Sequence, residues 1–214
     1  MVIPVGGTTK YLNQAVDSVR AQHLVKTNLI IVDARGPNRC APLDIPEDVT
    51  LAESPIRLLA GAARNAGLEY GKASLVSFLD ADDVWPPSRT HDLVEALAMS
   101  QNALAVGKLG ILHEAWDVES LIGPEDGSLA LLAGGVALSR SLAEMIGPFD
   151  EDLRAGEFVD WMARAKSMGV EVIEVDTVSL VRRIHRESAT ASDFQSRQDY
   201  LKVVKKWMNS KPSS

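Results

Sequence analysis

The chain has 214 residues, of which 46% are hydrophobic and 24% charged; this is the balance of a globular protein and excludes a disordered, collagen-like or low-complexity chain. Against 29 Asp and Glu stand 22 Lys and Arg, and the net charge of -7 repels phosphate backbones and anionic membranes, so nucleic acid is not expected as the main partner. A single cysteine, Cys40, excludes an internal disulfide or a multi-cysteine zinc cluster and suits the cytoplasm.

Residues 2–5 read as the end of a buried strand, and Thr8 or Thr9 is placed to cap a helix with Leu12, Ala15, Val16 and Val19 on one face. Residues 28–33 (NLIIVD) form a β-branched run ending in a carboxylate, and a Gly/Pro/Asn loop follows over 34–46. A short strand is expected at 49–51, then an Ala-rich helix at 59–70 that stops at Gly71. Residues 75–79 (LVSFL) are the clearest strand; they run into Asp80-Ala81-Asp82-Asp83, and Pro86-Pro87 opens a helix reaching about Ser100.

Strands alternating with helices imply right-handed crossovers and a mainly parallel sheet, so the fold class is α/β. The second half is mixed. Residues 103–106 and 109–112 flank Gly107-Lys108 as a hairpin, and 136–138 precedes a helix at 141–146. An amphipathic helix follows at 157–168, then strands at 170–175 and 178–183, then a terminal helix at 194–208. Its Lys202, Lys205, Lys206 and Trp207 are expected to pack onto the domain. No stretch reaches the ~20 apolar residues of a membrane span, because 128–138 is short and broken by Gly134 and Gly135. The opening MVIPVGG shows no signal-peptide pattern.

Ligands of open α/β sheets sit beyond the carboxyl ends of the strands. Asp33, Asp80 and Asp82 close two of the expected strands, and Gly6-Gly7 follow the first. Alternating carboxylates at a strand end can hold Mn2+ or Mg2+, which in turn bridges a diphosphate; the alternative is that they cap the next helix. Gly6-Gly7-Thr8-Thr9-Lys10 can form an anion nest, but it lacks the Walker spacing, and no Gly-x-Gly-x-x-Gly points to a dinucleotide.

The segments PVGGTTKYLNQAVDSVRAQ, NLIIVD, GAARNAGLEYGKASLVSFLDADDVWPP and IGPFDEDLRAGEFVDW resemble, in order and spacing, the family 2 glycosyltransferases with the GT-A fold, from Val2 to about Ser188. The resemblance implies one GT-A-type domain with a Rossmann-like, mainly parallel central sheet flanked by helices and a smaller mixed acceptor-side region. Its parts would be a nucleotide-binding half over 1–106, an acceptor-side half over 107–190 and a terminal helix and tail over 191–214. It implies an inverting, metal-dependent transfer from a nucleoside diphosphate sugar to a hydroxyl acceptor, in a chain that can be a homo-oligomer. Pro4, Asp33, Arg64 and Asp80 would contact the nucleotide, with Asp33 recognising the base. Asp82 would hold the metal, joined by His185, and Arg183 would meet phosphate. Trp161 would serve as a sugar platform or anchor its helix to the core.

A cation at the phosphates offsets charge on the departing diphosphate, and an inverting attack needs a carboxylate to take the acceptor's proton. The family supplies that carboxylate from a Glu-Asp pair, whereas this chain has Glu157 followed by Phe158. Glu157 is the expected substitute, with Asp160 three residues on as the other candidate; both also suit an acidic first helical turn. A protein that keeps the nucleotide pocket but lacks turnover is the competing expectation. The family's Tyr-Asn after the first strand is Gly6-Gly7 here, and the acid after Asp33 is Ala34.

Overall fold

In the computed structural model, residues 1–37, 39, 41–113, 128–185, 198–203 and 205 are described. Strands β1 (Val2–Val5), β2 (Ile30–Asp33) and β3 (Thr50–Glu53) pair in parallel, with Val5, Asp33 and Glu53 level at their carboxyl ends. β1 and β2 are buried at every position, so their sequences are apolar runs rather than alternations. Helix α1 (Leu12–Arg20) buries the four expected residues, Leu12, Ala15, Val16 and Val19. Its start differs from expectation: Tyr11 is the N-cap, without a side-chain cap, and Thr9 gives only its carbonyl to the Leu12 N–H, 3.1 Å away.

Helix α2 (Ala60–Tyr70) lies so close over β1 that a Cβ on Gly67 would overlap the Val2 side chain. Strand β4 (Leu75–Ser77) leads to α3 (Arg89–Leu97), which begins three residues beyond Pro86 because Pro86-Pro87 sit in the preceding turn. Strands β5 (Ala103–His113), β6 (Val136–Ser139) and β7 (Glu171–Ile184) complete a second sheet in the order β4-β6-β5-β7. β6 runs antiparallel to both neighbours, while β7 is parallel to β5. Among the described residues the two sheets join through one bridge, Val2 to Phe78, where the Leu79 N–H donates to the Val2 carbonyl at 3.0 Å.

Pro4 explains why that pairing stops. The Val2 carbonyl faces β4 and the Val5 carbonyl faces β2, where it accepts from the Ala34 N–H at 2.9 Å. By the two-residue period Pro4 also faces β4, and proline has no N–H to offer there. Beyond that bridge the carboxyl ends of β1 and β4 are therefore not paired with each other, where ligands of such sheets sit.

Two expectations for the second half are corrected. Residues 103–112 are not a hairpin but the single strand β5, because Gly107 does not turn: it lets β7 approach so closely that a Cβ would overlap the Thr177 carbonyl, and its N–H donates to Ser179 Oγ at 3.0 Å. The two strands expected at 170–175 and 178–183 are likewise one strand, whose polar Asp176-Thr177 falls at a register shift opposite Gly107. Helix α4 (Arg140–Ile146) is capped by Ser139, which accepts from the Leu142 N–H at 3.1 Å. Helix α5 (Glu157–Ser167) is held by an aromatic stack in which Phe149 and Trp161 lie 5.2 Å apart, Phe158 lies 6.1 Å from Trp161, and Phe78 meets Phe149 edge-on at 5.3 Å.

Of the expected terminal helix, residues 198–203 are helical. They pack on Gly156, the N-cap of α5, with Tyr200 Cα 3.3 Å from where a Cβ would stand. Residue 205 is helical as well, whereas Cys40, Lys206, Trp207 and residues 194–197, 204 and 208 lie outside the described residues. Among the described residues no helix is long and apolar enough to cross a membrane.

Candidate functional site

Beyond β4 the chain turns at Asp80-Ala81-Asp82-Asp83, closed by the Asp83 N–H donating to the Asp80 carbonyl at 3.1 Å. Asp80 and Asp82 keep 47% and 30% of their side chains exposed. Asp83 is buried and accepts from the Arg183 N–H at 2.8 Å; burial first, then the neighbouring Asp80 and Asp82 charges, push its carboxyl well above the usual range. None of these carboxylates caps α3, whose N-cap is Ser88.

Asp82 and His185 come together as expected, with His185 Nε2 2.9 Å from Asp82 Oδ2. His185 arrives from the end of β7, and its ring tilts against Tyr11 at 5.2 Å. Arg183 is buried. It donates from Nε to the Asp82 carbonyl at 3.0 Å and from Nη2 to Gln14 Oε1 at 2.5 Å, and it lies 4.3 Å over Tyr11. These contacts brace the aspartate turn.

Arg64, on α2, is 3% exposed and joins the two halves of the site: Nη2 reaches Asp80 at 2.7 Å and Nη1 reaches Glu157 at 2.5 Å. Burial would lower its pKa, but the charges of Asp80 and Glu157 together with their hydrogen bonds raise it. Its Nε has no partner among the described residues. Arg64 thus fixes two carboxylates from opposite sides, and no spacing in the sequence announces that link.

At the β2 end, Asp33 is fully buried beneath arginines. Arg35 grips it with a two-point fork, Nε to Oδ1 and Nη2 to Oδ2, each at 2.9 Å, and Arg39 Nη1 lies 3.5 Å from Oδ2. The Arg35 hydrogen bonds outweigh burial and hold the Asp33 carboxyl below its usual range. Neither arginine was expected from the sequence; Arg35, two residues beyond a strand-end acid, carried the only cue.

The carboxylates of α5 are both committed to arginines. Glu157 holds Arg64, and Asp160, 8% exposed, accepts from Arg164 Nε at 3.1 Å. Arg164 in turn donates to the Ile146 and Pro148 carbonyls at 2.7 and 2.6 Å, tying α5 to the end of α4. Of its two expected roles Trp161 takes that of a core anchor: it is 1% exposed, stacked on Phe149, and its Nε1–H donates to the Gly147 carbonyl at 2.9 Å. A further buried cation, Arg89, lies 3.7 Å over Trp85 and donates to the carbonyls of Ser179, Gly134 and Val136. Burial pulls its pKa down to about 9.

The donor set suits a hard or borderline divalent cation. Asp82 offers a partly open carboxylate and His185 an imidazole nitrogen, while among the described residues no group of three or more His, Cys, Asp or Glu could hold a metal. Mg2+ and Mn2+ fit such a pair when water and substrate phosphate fill the remaining positions.

Comparison with known proteins adds to this geometry. The sequence model of the family described as Glycosyl transferase family 2 matches residues 1–111, just over half of the 214. An uncharacterized glycosyltransferase of Nostoc sp., alr2836, is 30% identical over 162 residues, covering 66% of this chain and 50% of its own. The uncharacterized glycosyltransferase EpsJ of Bacillus subtilis is 24% identical over 131 residues, covering 58% and 37%. The chain therefore spans about half or less of the length of these curated relatives.

Among solved structures, residues 1-349 of S. aureus TarS in complex with UDP-GlcNAc superpose with a TM-score of 0.73 at 16% identity, over 96% of this chain and 64% of that one. The mannosyltransferase PcManGT of Pyrobaculum calidifontis, in complex with GDP-Man and Mn2+, superposes with a TM-score of 0.71 at 17% identity, over 100% and 64%. At these identities the likeness carries the fold.

Proposed function

The chain belongs to glycosyl transferase family 2, and we propose that it moves a sugar from a nucleoside diphosphate sugar to a hydroxyl-bearing acceptor, with inversion and with Mn2+ or Mg2+ as cofactor. The observation that carries this reading is the Asp82–His185 contact of 2.9 Å at the mouth between β1 and β4, beside an Asp80 already fixed by Arg64. The donor class is supported by the folds that hold UDP-GlcNAc in TarS and GDP-Man with Mn2+ in PcManGT. Residues 1–106 would hold the nucleotide and 107–190 the acceptor, and the reading keeps a cytoplasmic enzyme.

A cation bound by Asp82 and His185 would offset the charge that develops on the leaving diphosphate. Asp80, fixed by Arg64, faces the nucleoside. On the other side the acceptor oxygen bonds to the anomeric carbon as the carbon–oxygen bond to the diphosphate breaks, and the hydroxyl proton passes to Glu157. Because Oε1 of Glu157 holds Arg64, Oε2 is the oxygen that receives it. The test is transfer from a panel of nucleoside diphosphate sugars with Mn2+, the anomeric configuration of the product being read by NMR. An inverted product supports the reading, and a retained configuration contradicts it.

A second reading, a nucleotide-sugar-binding protein with impaired turnover, is favoured by one observation: Phe158 is a core residue, and both remaining carboxylates, Glu157 and Asp160, are in arginine pairs. Donor binding without transfer to any acceptor would decide for it.

A further inference from the structure

A nucleotide whose diphosphate sits at Asp82 has one direction in which to lay its base across the sheet. On one side of β4 runs β6, antiparallel, which brings its amino end to that rim. On the other side β1, β2 and β3 run parallel to one another and end level at Val5, Asp33 and Glu53. From β4 to β2 is two strand spacings, roughly 10 Å, which is the reach of a nucleoside. The chain between them, just past β1, is Gly6-Gly7 and raises no side chain in the way. The base therefore arrives at the ends of β2 and β3.

Asp33 presents no acceptor there. Its side chain is 0% exposed, and both oxygens are occupied. Oδ1 accepts from the Arg35 backbone N–H at 3.2 Å and from Arg35 Nε at 2.9 Å; Oδ2 accepts from Arg35 Nη2 at 2.9 Å and has Arg39 Nη1 3.5 Å away. Arg35 is spent on this fork and on the Ala41 carbonyl. Arg39 is the more exposed of the two arginines and spans two acids, with Nη2 2.5 Å from Glu53 Oε1. Each of its terminal nitrogens carries two hydrogens and Nε a fifth, so contacts to two carboxylates leave donors over. Two arginines answer two acids, which suits an uncharged base.

We propose that Arg39 reads the base by donating a two-point fork to an edge with two neighbouring acceptors, and that this makes the donor a guanine nucleotide. Guanine sets O6 beside N7, the edge that an arginine fork fits. Uracil's two carbonyls are separated by its N3–H, and adenine sets an amino donor beside N7. Cytosine's N3 and O2 are neighbours, but O2 lies next to the glycosidic bond, where the ribose crowds it. The inference rests on the donor-binding reading and adds to it which base is held and by which residue.

The test is calorimetry with Mn2+ on GDP, 7-deaza-GDP, UDP, CDP and ADP in wild type, Arg39→Ala, Arg39→Lys and Arg20→Ala. Arg20 pairs with Asp48 at 3.3 Å ahead of β3, at the opposite end of that strand from Glu53, so it controls for net charge. Wild type is expected to bind GDP about tenfold or more tighter than the other four, the size of one two-point contact to a base. Arg39→Ala and Arg39→Lys should both lose that preference, because lysine keeps the charge but not the fork. UDP affinity should stay as in wild type, and Arg20→Ala should change nothing. The assignment is overturned by UDP, CDP, ADP or 7-deaza-GDP matching GDP in wild type, by a preference that survives Arg39→Lys, or by equal losses on every diphosphate. If no diphosphate binds wild type, the donor reading itself fails and takes this inference with it. Diphosphates that bind alike whatever their base leave that reading standing and refute this one alone.

Discussion

At the end of β4, Asp82 keeps 30% of its side chain open and meets a histidine, whereas at the start of α5 Glu157 and Asp160 are 12% and 8% open and each meets an arginine. The β4 end is therefore ready to exchange partners: a divalent ion can replace the histidine contact of Asp82 without exposing a buried charge. The start of α5 is built the other way, because any movement of Glu157 breaks a buried ion pair, which is costly. Glu157, the base in the proposed reaction, is held in place by the same guanidinium that holds Asp80, so one residue fixes both carboxylates.

Arg64→Ala should break this comparison most severely. It leaves the nearly buried Glu157 carboxylate without its cation and should cost about 3–5 kcal/mol in urea unfolding; a loss under about 1 kcal/mol would mean that the triad is ornamental to the fold. Glu157→Gln sharpens the comparison, since the amide oxygen can still accept from Arg64. If Glu157 receives the acceptor's proton, transfer should fall at least about a hundredfold with nucleotide affinity unchanged. An unaltered rate would move the base elsewhere.

Asp33→Asn probes the most enclosed of these carboxylates. Its folded pKa is depressed by the Arg35 fork, so its stabilisation is present above the unfolded value of ~3.9 and is lost as pH falls through the lower folded value. The variant should be about 2 kcal/mol less stable at pH 7, with the gap narrowing below about pH 4; a gap independent of pH would refute the ionic account. Asp160→Asn keeps an acceptor for Arg164 and should cost only about 1 kcal/mol, with little change in transfer, as thermal unfolding and initial rates would reveal.

The first half of the fold was legible because its strands are continuous apolar runs and its α1 stripe falls at Leu12, Ala15, Val16 and Val19. The second half misled at one point, where Gly107 and Asp176-Thr177 look like turn residues but mark a close approach between two long strands. Of the site, the sequence singled out Asp82, His185, Arg64 and Asp80, and the structure puts the first two 2.9 Å and the last two 2.7 Å apart. What stayed hidden were cation contacts made across long sequence separations: Arg64 to Glu157, Arg183 to Gln14, and Arg89 to the carbonyls around Gly134. A buried arginine far from its partner leaves no periodic trace, and Trp161 next to Asp160 reads equally as a platform or an anchor until packing decides.

The most direct measurement is the affinity of the full chain for UDP and GDP by calorimetry, with Mn2+ and with chelator, in wild type and Asp82→Ala. The carboxylate open at the β4 end predicts that Mn2+ tightens binding of at least one nucleotide by tenfold or more in wild type, about 1.4 kcal/mol, and that Asp82→Ala removes this gain while leaving the weaker chelator-resistant binding in place. Affinity that ignores both the ion and the substitution would contradict it.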